Sequence, residues 1–204
     1  DYPGRMYTIV VWDQASPASD LVSEGDRPVL ALPNWRRPGL AGARNTGILA
    51  ADADLVAFCD GHGRWAPAKL RAQVAALTEA PECDLVTCAI EIEHAGRRTV
   101  RRAGRDRIGL ADLTRSRMAM LHSSTIVARR GALLDPTRVG LLAEGVPGGH
   151  NEDWDLLLRA ARRAPIVHLD EPLVRVDRSA GYQASDYAAR MRSLRWMIAQ
   201  HPEL

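Results

Sequence analysis

Lysine is almost missing from this sequence: Lys69 is the only one, and every other basic residue is arginine. An arginine repertoire suits contacts with phosphate and carboxylate groups, although genomic base composition would produce the same bias. Acids and bases nearly cancel, leaving a net charge of +2, so overall charge selects no partner. Aromatic residues make up 5% of the chain. None interleaves the basic run Arg97, Arg98, Arg101, Arg102, Arg105 and Arg107, which argues against nucleic acid as a partner. A solvated hairpin face is the better reading of that run, with an anionic acceptor or a lipid phosphate as the alternative. No apolar run approaches the ~20 residues needed to cross a bilayer. No signal peptide is visible either, so a cytoplasmic setting is expected. The three cysteines, Cys59, Cys83 and Cys88, lack metal-site spacing and are expected to be buried, reduced thiols. There is no internal repeat and no low-complexity segment. What remains, 204 residues of which 46% are hydrophobic and 25% charged, has the size and composition of one soluble α/β domain spanning 1–204.

The chain is organised around one stretch. Leu55-Val56-Ala57-Phe58-Cys59 reads as a fully buried strand that stops at Asp60. Gly61 and Gly63 then hold a short loop open, and Pro67 suits the first turn of a helix over 67–78 that Leu70, Val74 and Leu77 continue at helical spacing. Asp60 and His62 therefore lie two residues apart at the carboxyl end of a strand, where open α/β sheets bind ligands. Side chains two apart on extended backbone point the same way, so both can reach one cation. The bland alternative is a helix-capping Asp beside a solvated loop His.

The remaining elements follow from pattern. Residues 6–11 are β-branched and apolar and read as a central parallel strand, ending near Asp13. Residues 19–24 form a weak helix and 29–32 a short strand. A turn-rich loop leads to a helix over Leu40–Ala50, whose first turns carry Arg44 and Asn45; a helix amino end plus an arginine suits a diphosphate. Strands are expected at 84–92, 99–101, 124–128 and 165–169, with His94-Ala95-Gly96 as a hairpin turn. Glu152 and Asp153 start a helix after the mobile-looking Gly148-Gly149 loop, and acids are favoured there by the macrodipole. A closing amphipathic helix over 185–200 presents Tyr187, Met191, Leu194 and Ile198 at helical spacing.

Three segments together carry a family resemblance. They are Gly39-Leu40-Ala41-Gly42-Ala43-Arg44-Asn45-Thr46-Gly47, then Phe58-Cys59-Asp60-Gly61-His62 with Trp65-Ala66-Pro67-Ala68-Lys69-Leu70, and Glu152-Asp153-Trp154-Asp155-Leu156. The chain resembles the GT-A glycosyltransferases of family 2 over about residues 6–178. The resemblance implies a Rossmann-like three-layer α/β domain with a mostly parallel sheet. It begins at the family's second strand, so the fold is expected to lack the first strand and helix, which carry a nucleotide-binding segment. It also implies an inverting transfer of a sugar from a nucleotide diphosphate sugar to the hydroxyl of a glycan, lipid-linked or small-molecule acceptor.

On this reading Asp153 is the general base, and Asp13, Arg44, Asn45 and Asp60 seat the donor. Asp60 and His62 hold Mn²⁺ or Mg²⁺. His62 stands where most members have a second Asp, and Asp-x-His serves the same purpose in the polypeptide N-acetylgalactosaminyltransferases. His122 to Ser124 would border the acceptor pocket, and Ser123, His150, Glu152 and Trp154 are candidates for the acceptor side or for supporting the site. The competing function is a degenerate GT-A domain that binds or assembles without turnover. A nucleotidyltransferase would want a basic phosphate loop near the start, and a metal-dependent hydrolase would need further ligands such as His150 or His168.

Overall fold

The computed structural model describes residues 2–13, 25, 27–61, 63–177 and 187–204. Two of the features read from sequence, the weak helix at 19–24 and His62, lie outside the described residues. Nine strands are described. A pair, β1 (Thr8–Trp12) and β2 (Val29–Pro33), runs parallel as a sheet of its own. The main sheet has seven strands in the order β3 (Leu55–Ala57), β8 (Val127–Arg129), β5 (Leu85–His94), β9 (Ile166–Asp177), β4 (Gly63–Trp65). In addition, β6 (Arg97–Arg101) pairs with β5, and β7 (Arg107–Ile108) with β9. The expected α/β class is the one observed. Its parallel component lies in β1–β2 and in the long β5–β9 ladder, while the short β4, β6, β7 and β8 run against their neighbours.

The sheet is covered on both faces because successive residues along its central strands feed different cores. Leu85, Ala128 and Ile166 belong to a large cluster with Ile48, Leu113, Leu133, Leu156, Leu157 and Met197. Their chain neighbours Val86, Val127 and Val167 belong to a second cluster with Leu77. Period-two alternation across a strand buried on both sides produces this three-layer arrangement. Helices α1 (Leu40–Ala50), α3 (Leu110–Arg115), α4 (Arg130–Leu134), α5 (Glu152–Arg163) and α6 (Tyr187–Gln200) contribute to the first cluster; α2 (Lys69–Thr78) covers the second.

Several elements differ from the sequence expectation. The strand over 6–11 is not central: among the described residues β1 pairs with β2 alone, and it is only half-buried. The strand before Asp60 is three residues of an edge strand, half-buried rather than fully buried. Ser123–Thr125 is a single 3₁₀ turn, so β8 begins only at Val127. Residues 166–177 form one strand, irregular where Pro172, which has no N–H to give, faces Ala89. Cys59 is exposed; only Cys83 and Cys88 are buried. The hairpin is as expected, with Ala95 and Gly96 both at positive φ (48° and 74°) between His94 and Arg97. Every residue of β6 is exposed, and Arg98 faces Glu91 and Glu93, which fits a solvated basic run.

Helix α2 is turned from its apolar expectation. Its buried residues are Lys69, Gln73 and Leu77, one turn apart, while Leu70 and Val74 are only partly covered. Gln73 donates there to the Thr125 carbonyl at 2.7 Å, while its Oε1 has no partner among the described residues. Lys69 is fully buried, its Nζ has no hydrogen-bond partner among the described residues, and it lies 4.2 Å from the centre of the Trp65 ring. Burial pushes its ammonium down to about 8, against a smaller opposing pull from the Cys88 and Cys59 thiols. A folded-state value below the unfolded one means that the unfolded chain binds the extra proton between about pH 8 and pH 10.5. Folding stability from this group therefore rises with pH across that window and is lost as pH falls through 8. Lys69→Met has no such dependence. Its advantage over the parent, read by urea unfolding, is expected to shrink by roughly 3 kcal/mol between pH 8 and 10.5, at 1.36 kcal/mol per unit. A constant difference across that range would refute the buried-ammonium account.

Candidate active site

The site grows from the end of β3. The Phe58 N–H donates to the Ile126 carbonyl, and the Asp60 carbonyl accepts from Gly63, closing a tight turn. Gly63 is required there: a Cβ at that position would sit 2.9 Å from Ser124 Oγ. That same hydroxyl accepts from the Asp60 N–H at 3.0 Å, and Trp65 Nε1 donates to the Ser124 carbonyl at 3.1 Å. The Asp60 carboxylate is thus aimed by backbone and neighbours before any ligand arrives.

Three side chains meet it. Arg44 Nη2 donates to Asp60 Oδ1 at 2.8 Å, Ser123 Oγ donates to Oδ2 at 2.7 Å, and His122 Nε2 lies 3.6 Å from Oδ2. Burial alone would raise the Asp60 pKa, but the charge and hydrogen bond of Arg44, with the Ser123 hydroxyl, outweigh it and hold the carboxyl below its ordinary value. Arg44 comes from the second turn of α1 and gives its other nitrogen to Glu152 Oε1, also at 2.8 Å. One guanidinium therefore ties the end of β3 to the start of α5. Burial would lower its pKa, yet the two carboxylates raise it. It stays a cation, as a bidentate arginine should.

Asp153, one residue on, lines the same cleft as His122. Its carboxylate accepts from Arg117 at 3.2 and 3.4 Å and from the Trp154 N–H at 2.8 Å. Burial depresses the His122 pKa, with Asp60 and Asp153 pulling it back and Arg44 and Arg117 pushing with burial, so the imidazole is held neutral below its usual range. Arg117, Met118, His122, Asp153 and Trp154 line a cleft of about 100 Å³. Met118 adopts a positive φ of 49°, and this strained, non-glycine residue turns the chain at the cleft wall. A carboxylate at an open cleft beside a second acid, an arginine clamp and a neutral imidazole can accept a proton on one side while anionic oxygens are held on the other.

Of the residues singled out by sequence, the structure brings together Asp60, Arg44, Ser123, Glu152 and Asp153. Asp13 is linked to them only through α1: its oxygens accept from the Gly39 N–H and from Asn34 Nδ2, both at 2.7 Å. A carboxylate there also complements the positive end of the helix. Asn45 is fully buried and engaged with the distant loop between α4 and α5, exchanging hydrogen bonds with both backbone groups of Leu142 and donating to Glu144. Trp154 is buried, its indole donating to the Leu113 carbonyl. The His150 carbonyl is held by Ser193. His168 is buried against Thr87, remote from this cluster. Sequence reasoning leaves Arg117 and Glu144 unassigned and gives His122 only a place beside the acceptor pocket. Arg117 carries no local signal; Glu144 gathers Arg36 and Asn45 around a loop no periodicity announces.

Among the described residues, no group of three or more His, Cys, Asp or Glu side chains is placed to hold a metal ion. The Asp60 carboxylate supplies the kind of oxygen ligand that Mn²⁺ or Mg²⁺ accept when phosphate oxygens complete the shell. His122 does not add to it in this arrangement: its Nδ1 accepts from the Ser124 N–H at 3.2 Å, so in the neutral imidazole Nε2, 3.6 Å from Asp60, carries the proton. No helix among the described residues is long and apolar enough to cross a membrane.

A sequence model described as glycosyl transferase family 2 matches residues 5–134. The chain belongs to that family. It is a family 2 glycosyltransferase domain by sequence, and solved structures agree on the fold. Staphylococcus aureus TarS 1-349 in complex with UDP-GlcNAc superposes with a TM-score of 0.61 at 17% identity, over 80% of this chain and 46% of TarS 1-349. The mannosyltransferase PcManGT from Pyrobaculum calidifontis, in complex with GDP-Man and Mn²⁺, superposes at 0.56 and 16% identity over 100% of this chain and 65% of its own. Among curated proteins none matches. The chain spans about half the length of the TarS chain it resembles.

Proposed function

We propose that this domain catalyses inverting transfer of a sugar from a nucleotide diphosphate sugar to an acceptor hydroxyl, with Asp153 as the base. The observation that carries the reading is the Arg44 bridge, which sets Asp60, the acid that would hold the diphosphate's metal ion, beside the start of α5 where Asp153 faces an open cleft. Arg44 would seat the diphosphate, releasing part of its hold on the two carboxylates as it does so. Asp60 with His62 would hold a divalent ion. Such an ion, when bound, neutralises charge on the departing diphosphate. His122 and Arg117 line the cleft with Asp153, where Arg117 holds the carboxylate in place until an acceptor hydroxyl displaces it. Asp13 belongs to the donor side through its grip on the first turn of α1; Asn45 supports that side by fixing the loop at Glu144. That UDP-GlcNAc and GDP-Man are bound by structural neighbours supports a nucleotide-sugar donor. The degenerate-module alternative gains nothing from the site, whose acid pair and open cleft are intact.

The test is calorimetric titration of UDP-GlcNAc and GDP-Man with and without Mn²⁺, for the parent, Asp60→Asn and His62→Ala. The expected result is metal-dependent binding of one donor by the parent, lost in Asp60→Asn and weakened in His62→Ala only when Mn²⁺ is present. Binding of neither donor under any condition would sink the reading. Coincident parent and His62→Ala curves would remove His62 from the metal site.

A further inference from the structure

The apolar pattern of helix α6 expects Tyr187, Met191, Leu194 and Ile198 to close the domain. The structure turns it the other way: Tyr187, Leu194 and Ile198 are exposed, and Ala189, Ser193 and Met197 face inward. What the inner face touches is the segment that leads into the acids of α5. Ser193, fully buried, donates its hydroxyl to the His150 carbonyl at 2.6 Å and accepts from Asn151 Nδ2 at 2.8 Å. Gly148 lies so close to the α6 backbone that a Cβ would stand 2.1 Å from the Ala189 carbonyl oxygen. Further along, His201 Nε2 meets Asp155 Oδ1 at 2.9 Å, fastening the first turn of α5 a second time.

Asn151 is the residue immediately before the helix, and its state is unusual. It is buried, its φ is +67°, and it makes no side-chain cap to the helix it precedes. A residue of its type would ordinarily take an extended backbone here and cap the first turn with its own oxygen. Both departures need outside support to persist, and Ser193 supplies it. With Asn151 held, its carbonyl accepts from the Asp155 N–H at 2.9 Å, and Glu152 and Asp153 are projected from the first turn between Arg44 and Arg117.

We propose that Ser193 is a positioning residue: its hydroxyl, clamped between His150 and Asn151, sets the direction in which α5 presents Glu152 and Asp153. The inference rests on Asp153 being the base, and its test separates the two. Thr and Val have the same shape and differ in the hydroxyl, so Ser193→Thr and Ser193→Val place equal bulk in a fully buried site and isolate the hydrogen bonds. Asn151→Gly keeps the left-handed backbone and removes only the amide side chain. Two quantities are read on each variant of the whole chain. One is release of nucleoside diphosphate from saturating UDP-GlcNAc or GDP-Man with water as acceptor; the other is hydrogen exchange at the Asp155 amide. Misplacement by about 1 Å costs on the order of 10²-fold in rate. Ser193→Val and Asn151→Gly should therefore slow release by about 10- to 100-fold with donor affinity unchanged. The Asp155 amide should exchange about tenfold faster, and Ser193→Thr should restore both. Equal rates and equal exchange in the Thr and Val variants would overturn the clamp. If Asp153→Asn leaves release intact while the Val variant still loosens the Asp155 amide, the clamp stands and the assignment of the base falls.

Discussion

Asp153→Asn is expected to lower transfer by ~10²–10⁴-fold, the range for removing a general base. Donor affinity should stay within about 1 kcal/mol of the parent, because the lost interaction is made with the acceptor proton in the transition state and not with the bound diphosphate. The structure supports this separation. Asp153 is held by Arg117 and the Trp154 N–H, whereas Arg44 holds Asp60 and Glu152. Asn fills the same volume and still accepts from Arg117, so folding should be little changed. Calorimetric donor affinity and a coupled assay for released nucleoside diphosphate measure the two halves. Near-normal turnover would remove Asp153 from the role, and a parallel collapse of donor affinity would mean that it serves the donor instead.

Arg44→Leu is the second large effect. Side-chain exposures at this bridge are 9% for Arg44, 25% for Asp60 and 12% for Glu152, so neither acid can recruit much water in its place. Removing one partner of such a pair leaves uncompensated charge and typically costs about 3–5 kcal/mol. The sign with pH follows from Asp60, whose folded-state pKa lies below the unfolded ~3.9. Its contribution is present above the unfolded value and is lost as pH falls through the folded one. In Arg44→Leu that depression disappears, so the variant should lose less stability than the parent on acidification from pH 5 to pH 3. Adding Asp60→Asn to Arg44→Leu should recover part of the loss at neutral pH by removing one orphaned charge. Denaturant unfolding at several pH values reads both effects. A deficit under about 1 kcal/mol would show that the bridge is solvated and weak, as exposed ion pairs are.

The elements that bear the site are legible in sequence because their signals are local. Leu40–Ala50 is delimited by its glycine start, the α5 acids by their place before an apolar run, and the hairpin by Ala95-Gly96. What cannot be read is whatever depends on a distant neighbour. Arg44 and Glu152 are 108 positions apart, so nothing in either segment announces the bridge. Apolar periodicity selects Leu70 and Val74 over Lys69 and Gln73, because it cannot foresee a buried glutamine that satisfies a Thr125 carbonyl. The same rule misdirects α6. Its apolar stripe is real, but Ala189 and Ser193 are what fit against the close-packed segment over 148–151, and Met197 joins the core. Composition alone places the strand over 6–11 centrally, and its pairing, among the described residues, with β2 only is a tertiary fact.

The central claim is that Asp60, Arg44 and Asp153 are one site, with the donor at one end and the base at the other. A crystal structure of the complex with Mn²⁺ and the donor that calorimetry selects tests it most directly. The account predicts the diphosphate against Asp60 and Arg44, and the sugar's anomeric carbon turned toward the cleft of Asp153, His122 and Trp154. An acceptor hydroxyl in line with the departing diphosphate should then fall within ~2.6–3.2 Å of the Asp153 carboxylate. A donor lying elsewhere on the domain, or a sugar directed away from Asp153, would contradict it.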